Sequence, residues 1–402
     1  MEKVILLLVF VCVFNSCEEA DPVGGTDPPA PSFTIDQKVP NFNIQVNEEI
    51  QIEDDIEMSL NMYFPGDDVV VGIEGKIERR GGFSISFEKH SYKMDLVGEH
   101  SLAGLPQDDD WILNANYIDK TFMRHRFSYE LFRDMSVDHI APNCAYANVE
   151  LNSEYNGFYL LTERLDKSSL RIDGLSQQAV IFKEPPVFIE EQINPQNPGN
   201  YYQQTYPDID EDDRTSSMDE LKEYLFNSSD EVFDDEVRGR FDISNIIDWH
   251  LLLLLSNNND GILKNFYLYK RNDDTPYRVA PWDYDHSFGR DGDNELNMLD
   301  RIVNPERSIF FERLMQRIWY KDLLKRRWQE LNENQLFSLD HLKERVSVYK
   351  ELIEPHTDAN FDKWPVDSQW YYDSNEFNVE VGIFVEYLEL RHPILDEYIN
   401  QL

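Results

Sequence analysis

The sequence predicts an α+β fold: a strand-rich first part holding one main helix, then a mostly helical second part. Three observations carry it. Apolar and polar residues alternate through most of Val39–Leu96, the period-two burial of antiparallel strands. "NYIDKTFMRHRFSYELFRDMS" repeats apolar residues every fourth position. From "SNIIDWHLLLLLS" onward the apolar residues fall mainly into helical stripes, broken by one hairpin. A chain of 402 residues, 41% hydrophobic, can bury the core this requires. Two lobes with a cleft between them accommodate the pattern, with residues 38–165 as the strand-rich lobe and 166–402 as the helical one.

Residues 1–16 read as a signal peptide. One Lys precedes an apolar run, Val4–Phe14, too short to span a bilayer permanently. "FNSC" puts small Ser16 before Cys17 and resembles a relaxed lipoprotein box of some Gram-negative bacteria, with Phe14 in place of the usual Leu. Cys17 is then the lipid anchor, and residues 17–37, with Gly24, Gly25 and Pro22, Pro28, Pro29 and Pro31, are its tether. An ordinary cleaved signal with a stray Cys, or a short N-terminal helix, is the alternative. Glu18 and Glu19 resemble the acidic signature of lipoproteins sent to the outer surface. The expected location is the outer membrane or cell surface, with membrane contact through the lipid alone. Removing Cys12 and lipidating Cys17 leaves Cys144, so the mature chain forms no intramolecular disulfide.

"FNIQVN", "MSLNMYF", "VVVGIEGKIERR" and "SYKMDL" are the first strands, with "RRGGFSISFEKH" (79–90) as a Gly-containing connection. In the helix Asp119 is the expected N-cap, and Met123, Phe127, Leu131 and Met135 share one face. "YANVELNSEYNGFYLLTERL" is a hairpin around an Asn/Gly turn. An exposed acidic insertion is expected over about 186–238; its "DIDEDD" lacks the Gly and spaced Glu of a calcium loop. Trp319, Leu323, Leu324 and Trp328 mark one later helix face. There is no internal repeat, Walker loop, zinc-spaced Cys/His cluster, nucleophile elbow or Rossmann fingerprint. With 77 Asp and Glu against 37 Lys and Arg, the formal charge of −40 repels nucleic acid and anionic lipid, so neither is an expected partner.

The chemistry concentrates in "DGILKNFYLYKRNDDTPYRVAPWDYDHSFG", Asp260–Gly289. "NFYLYK" and "PYRVAPWD" are strands about the turn "RNDDT". Pairing Lys270 with Tyr277 sets Asn265 opposite Trp282, beside Asp283, about 5 Å across the ladder. A hard divalent cation such as Mg²⁺ takes one or two protein oxygens and completes its shell with phosphate and water. A further Asp nearby can accept a hydroxyl proton. Asp260, four residues, Asn265, then Asp283 is the spacing of phosphoryl transfer in protein kinases; the same letters also arise by chance in an acidic chain.

With these motifs, and with "RRGGFSISFEKHSYKMDL", "LNANYIDKTFMRHRFSYELFRDM", "VELNSEYNGFYLLTERLD" and "PWDYDHSFG", the sequence resembles the spore-coat protein H (CotH) kinase family, over most of the chain after about Val39. The resemblance implies a bilobal atypical protein-kinase-like fold, with an antiparallel-sheet N-lobe carrying one main helix. It also implies ATP and Mg²⁺ as cofactors. By the same resemblance Asp260 is the catalytic base, Asn265 and Asp283 are metal ligands, and Asp285 is a second acidic metal-site residue. Lys93 contacts nucleotide phosphate; Arg80, Gly81 and Gly82 form the loop over the phosphates; Glu163 sits at the hinge where the base docks. Glu130 could orient Lys93, although an i,i+4 surface pair with Arg126 or a pair with Arg133 is the stronger local option. The chain departs from relatives at Lys264 and Gly82, both often Asn. The implied activity is transfer of the ATP γ-phosphate to Ser/Thr hydroxyls, possibly its own, by a monomer. Two other readings stay open: an inactive surface module for cell-envelope or polysaccharide contacts, and a hydrolase using Asp260 and Asp283 as a carboxylate pair.

Overall fold

In the computed structural model, which describes residues 33–35, 37–52, 54–66, 69–189, 203–290, 308–368 and 373–402, the first strands close on themselves. They are β1 (Asn41–Val46), β2 (Ile56–Tyr63), β3 (Val69–Arg80), β4 (Ser91–Ser101) and β5 (Gln107–Asn114), then, after helix α1 (Arg124–Met135), β6 (Cys144–Leu151) and β7 (Glu154–Glu163). Their order is β1-β2-β3-β4-β5-β7-β6 in a closed barrel. Every neighbouring pair is antiparallel except β1 and β6, which run parallel with Asn41 opposite Asn148. The expectation of an antiparallel sheet is corrected here: the structure is α+β, but the sheet is a barrel sealed by one parallel pair. That contact joins strands a hundred residues apart, which no local alternation encodes.

Strand alternation then sorts the residues. Phe42, Ile44, Met58, Leu60, Met94, Trp111, Leu113, Tyr159 and Leu161 fill the barrel. On the outside, Tyr146, Phe158 and Leu160 of β6 and β7 join the main core with α1 and the later helices. The outer faces of β3, β4 and β5 carry Glu78, Arg80, Ser91, Lys93 and Asn114 instead, which line a cleft.

Helix α1 buries Met123, Phe127, Leu131 and Met135, as the fourfold spacing predicts. Asp119 is not its N-cap. The helix starts at Arg124, and Asp119 holds that start from outside, accepting from the Arg124 N–H at 2.9 Å and the Thr121 hydroxyl at 2.6 Å.

A second sheet, order β11-β10-β8-β9, gathers β8 (Val180–Lys183), β9 (Gln203–Tyr206), β10 (Phe266–Lys270) and β11 (Arg278–Pro281). Phe266 pairs with Pro281 and Tyr267 with Ala280, the register expected from the turn. The acidic insertion is corrected in part. Residues 190–202 lie outside the described residues, but Pro186–Phe188 is buried. Helices α2 (Thr215–Asn227) and α3 (Asp230–Arg240) send Met218, Leu221, Leu225, Phe233 and Val237 into the main core. The chain continues through α4 (Ile243–Ser256), α5 (Asn259–Leu263), α6 (Ile309–Met315), α7 (Ile318–Glu333), α8 (Leu339–Lys363) and α9 (Phe377–Asn400). In α7, Leu324 and Trp328 are buried, with Trp319 and Leu323 partly so.

The signal peptide and Cys17 lie outside the described residues. The end of the expected tether is fastened: Phe33 lies 4.2 Å from the Arg345 guanidinium and edge-on to Tyr349, and the Gln37 amide oxygen accepts from Arg126. Among the described residues no helix is long and apolar enough to cross a membrane.

Candidate active site

The run "SNNND" turns the chain from α4 into the cleft. Asn257 ends α4 in the left-handed region (φ 53°), a conformation Asn tolerates, and the Asn258 side chain caps α5 by accepting from Gly261 N–H at 2.8 Å. α5 carries Asp260, whose carbonyl accepts from the Lys264 and Asn265 N–H groups at 2.9 and 3.0 Å, and β10 starts at once. On the partner strand, Trp282 N–H reaches the Asn265 carbonyl at 3.1 Å. The sequence-predicted meeting of Asn265 and Asp283 is therefore present. The Asn265 amide donates to the Asp283 carbonyl at 2.9 Å, Asn258 adds a bond at 3.3 Å, and Asp283 N–H donates to the Tyr129 hydroxyl at 2.9 Å. Asp283 is at φ 55°, held there by these three bonds.

Beyond it, the "DHSFG" loop is bolted to the interior. Arg124 Nε donates to the Ser287 carbonyl at 2.8 Å while its guanidinium pairs with Asp119. Arg290 pairs with Glu380 of α9, every one of these side chains being buried. Gly289 (φ 89°) lies where a Cβ would meet Tyr387 Cβ at 3.1 Å.

The resulting cleft holds about 620 Å³ and is lined by Asp260, Asn265, Asp283 and Asp285 together with Lys93, Arg80, Gly81 and Gly82. It also contains what sequence reasoning missed. His125 of α1 sets Nε2 3.0 Å from Asp283 Oδ1. Ligand atoms of His125, Asp283 and Asp285 lie within 4.8 Å of one another, the group so placed among the described residues. His125 is 158 residues from Asp283, and nothing in "FMRHRF" marks it. Arg164 and Lys183 also line the cleft. Arg80 and Lys183 stand 6.0 and 5.9 Å from the Trp282 ring centroid.

The electrostatics suit a cation at His125, Asp283 and Asp285. Asp283 is half-buried, its side chain 45% exposed to solvent but ringed by other residues of the cleft. That desolvation raises its pKa, but the His125 bond and charge outweigh it and hold it at about 2. Asp285 is pushed above the usual carboxylate range, first by burial and then by the negative Asp283 beside it. A divalent cation would relieve that conflict, and two carboxylates with the Asn265 amide supply the oxygen donors a hard cation takes. The donor set fits Mg²⁺, with His125 orienting Asp283.

Three expectations change. Glu163 is not in this cleft: it ends β7 between Thr162 and Arg164, which both line the cleft, so by alternation it faces away. Its carboxylate accepts from Asn143 N–H and Nδ2 at 2.9 and 3.0 Å beside a separate cavity of about 390 Å³. Glu130 does pair with Arg126, at 2.7 Å, but in the interior rather than on the surface, and Tyr349 and Arg345 complete its contacts. Lys93 is served by the sheet instead, by Asp95 at 2.7 Å and Glu78 at 3.7 Å. The departure at Lys264 places its ammonium 3.3 Å from the Asp260 carboxylate.

Residues 77–395 match the family model described as CotH kinase protein. The inner spore coat protein H of Bacillus subtilis strain 168 is 23% identical over 337 residues, covering 81% of this chain and 87% of that protein. A proinflammatory kinase of Helicobacter pylori, CtkA, aligns over 86% of this chain and 96% of that one at 8% identity and a TM-score of 0.30, which carries no argument about fold.

Proposed function

This chain belongs to the CotH kinase protein family, and from that premise we propose a Mg²⁺-dependent phosphotransferase that moves the ATP γ-phosphate to Ser/Thr hydroxyls of a protein acceptor or of its own chain. In this reading the barrel serves as the N-lobe and the helical part as the C-lobe of an atypical kinase. The observation that carries it is the convergence, on one cleft, of an acidic end (Asp260, Asn265, Asp283, Asp285) and a basic wall (Arg80, Lys93, Arg164, Lys183) in a chain of net charge −40.

Asp283, Asp285 and Asn265 would hold Mg²⁺, which when bound neutralises phosphate charge as the transfer proceeds. His125 keeps the Asp283 carboxylate aimed into the cleft. Lys93 and Arg80 bind phosphate oxygens, and the turn at Gly81–Gly82 brings backbone close to them. Asp260 takes the acceptor hydroxyl proton as the new O–P bond forms and the bond to the bridging oxygen breaks, releasing ADP. Lys264, beside Asp260, adds positive charge where that oxygen transfers. The exported, lipid-anchored state expected from "FNSC" and the tether, and a monomeric chain, belong to the same proposal.

The test uses the purified chain. Mg²⁺ with ATP should raise the melting temperature, and Asp283→Asn should abolish the rise. Label transfer to a Ser-rich protein should vanish in Asp260→Asn while nucleotide binding survives. A wild-type melting curve indifferent to nucleotide would replace this reading with the binding-module one.

A further inference from the structure

Lys93 needs a partner, and the one that α1 could have offered, Glu130, is committed to Arg126, Tyr349 and Arg345. The outer face of the barrel supplies another. Asp95 and Asp110 stand directly opposite each other across β4 and β5, the placement that brings side chains to about 5 Å. Lys93 Nζ donates to Asp95 Oδ2 at 2.7 Å, and Arg164 Nη1 lies 3.5 Å from Asp110 Oδ2. Both of those cations line the candidate nucleotide cleft. Asp95 Oδ1 is buried and, with both carboxyls ionised, has no donor among the described residues.

We infer that Asp95 and Asp110 share one proton and that this pair positions Lys93, so that nucleotide affinity falls when the proton is lost. The inference rests on the phosphotransferase reading for its ligand, and on geometry for the pair itself. A hydrogen on Asp110 gives Asp95 Oδ1 its missing donor and leaves Asp95 Oδ2 for Lys93. Losing it adds one negative charge between Lys93, which would bind phosphate, and Arg164, a second cation of the cleft's basic wall.

The charged groups facing the pair are Lys76, opposite Asp95 on β3 and paired with Asp55, Glu78 on β3, Lys93 on β4, Asp108 on β5, and Arg164 and Asp166 after β7. Burial first, and then the bond to Asp95, push Asp110 up to about 7, while Asp95 is held below its usual value. Asp110 is raised relative to an unfolded carboxyl. Its contribution to stability is therefore complete below about 4 and lost as pH climbs through about 7.

The experiment compares the full chain with Asp110→Asn, which removes the titrating carboxyl, and Asp95→Asn, which removes the carboxylate that shares its proton; each keeps an amide in the bridge. First, melting temperatures without ligand are recorded from pH 4.5 to 8.5. Wild type should lose more stability than either variant between pH 5 and 7.5; parallel profiles would overturn the shared proton. Second, affinity for Mg²⁺ with the non-hydrolysable ATP analogue AMP-PNP is measured over the same range. Comparison with the variants cancels the ligand's own titration. Wild-type affinity should fall several-fold relative to Asp110→Asn above pH 7. Binding with the same pH profile in all three proteins would remove the positioning role and leave the phosphotransferase reading intact. No binding by wild type at any pH would remove that reading, and the affinity half of this inference with it; the melting profiles alone then decide the pair.

Discussion

A methyl group at Gly81 would meet Ser84 Oγ at 2.3 Å and Ile85 N at 3.2 Å, on a residue whose φ of 138° side chains rarely adopt, whereas the same methyl at Gly82 meets nothing within 4 Å. Gly81→Ala should therefore cost about 1–3 kcal/mol and distort the turn over the cleft. Gly82→Ala should stay within about 0.5 kcal/mol of wild type. Urea midpoints check both, and equal losses would contradict the assignment. At the candidate cation site the sign is different. Asp283 is held low, so its contribution is present above about 4 and lost as pH falls towards 2. Asp285 is held high, so its ionised form opposes folding at neutral pH without a cation. Asp285→Asn should raise the melting temperature in EDTA at pH 7, by roughly 1 °C for each kcal/mol gained in a chain this long, and should abolish stabilisation by Mg²⁺. A lower melting temperature in EDTA would show that Asp285 is structural. The meeting of Asn265 with Asp283 was legible because the "RNDDT" turn fixes the hairpin register. His125 was not, because its contact with Asp283 exists only after α1 packs against β11.

Among the elements, the β10–β11 hairpin was read to the residue, since "RNDDT" leaves one register that keeps Phe266 and Leu268 in the core. α1 was read as a stripe but not as a start. Asp119, five residues upstream, does the anchoring, and neutralising it should be expensive. Asp119→Ala leaves the buried Arg124 with Glu380 at 3.9 Å as its remaining acid partner, so a loss of about 3–5 kcal/mol is expected. His125 follows Arg124, and the shift in α1 should weaken Mg²⁺ stabilisation as well; chemical denaturation with and without the ion measures both. The helices α2 and α3 were missed although Met218, Leu221 and Leu225 have helical spacing, because the neighbouring "DIDEDD" reads as solvated loop. Glu163 was misplaced by one step of the strand alternation, which decides the side of a sheet and is invisible to a motif match.

At the scale of the whole molecule, a charge of −40 argues against anionic ligands, yet the cleft gathers Arg80, Lys93, Arg164 and Lys183. Barrel closure creates this contrast by turning the outer faces of β3, β4 and β5 towards β10 and β11. Binding of a nucleotide there should weaken with added salt, since partly exposed charges are screened within about 10 Å at 0.1 M; affinity for AMP-PNP measured from 50 to 500 mM salt shows it. The parallel β1–β6 seam that completes the barrel could not be read from sequence, and so neither could the full wall of the cleft. The most direct measurement is the melting temperature of the purified chain with Mg²⁺ and AMP-PNP, beside Asp283→Asn. A rise in wild type that is absent from the variant is predicted. A wild-type curve unmoved by nucleotide, or an equal rise in both proteins, would contradict a cation-dependent phosphate site in this cleft.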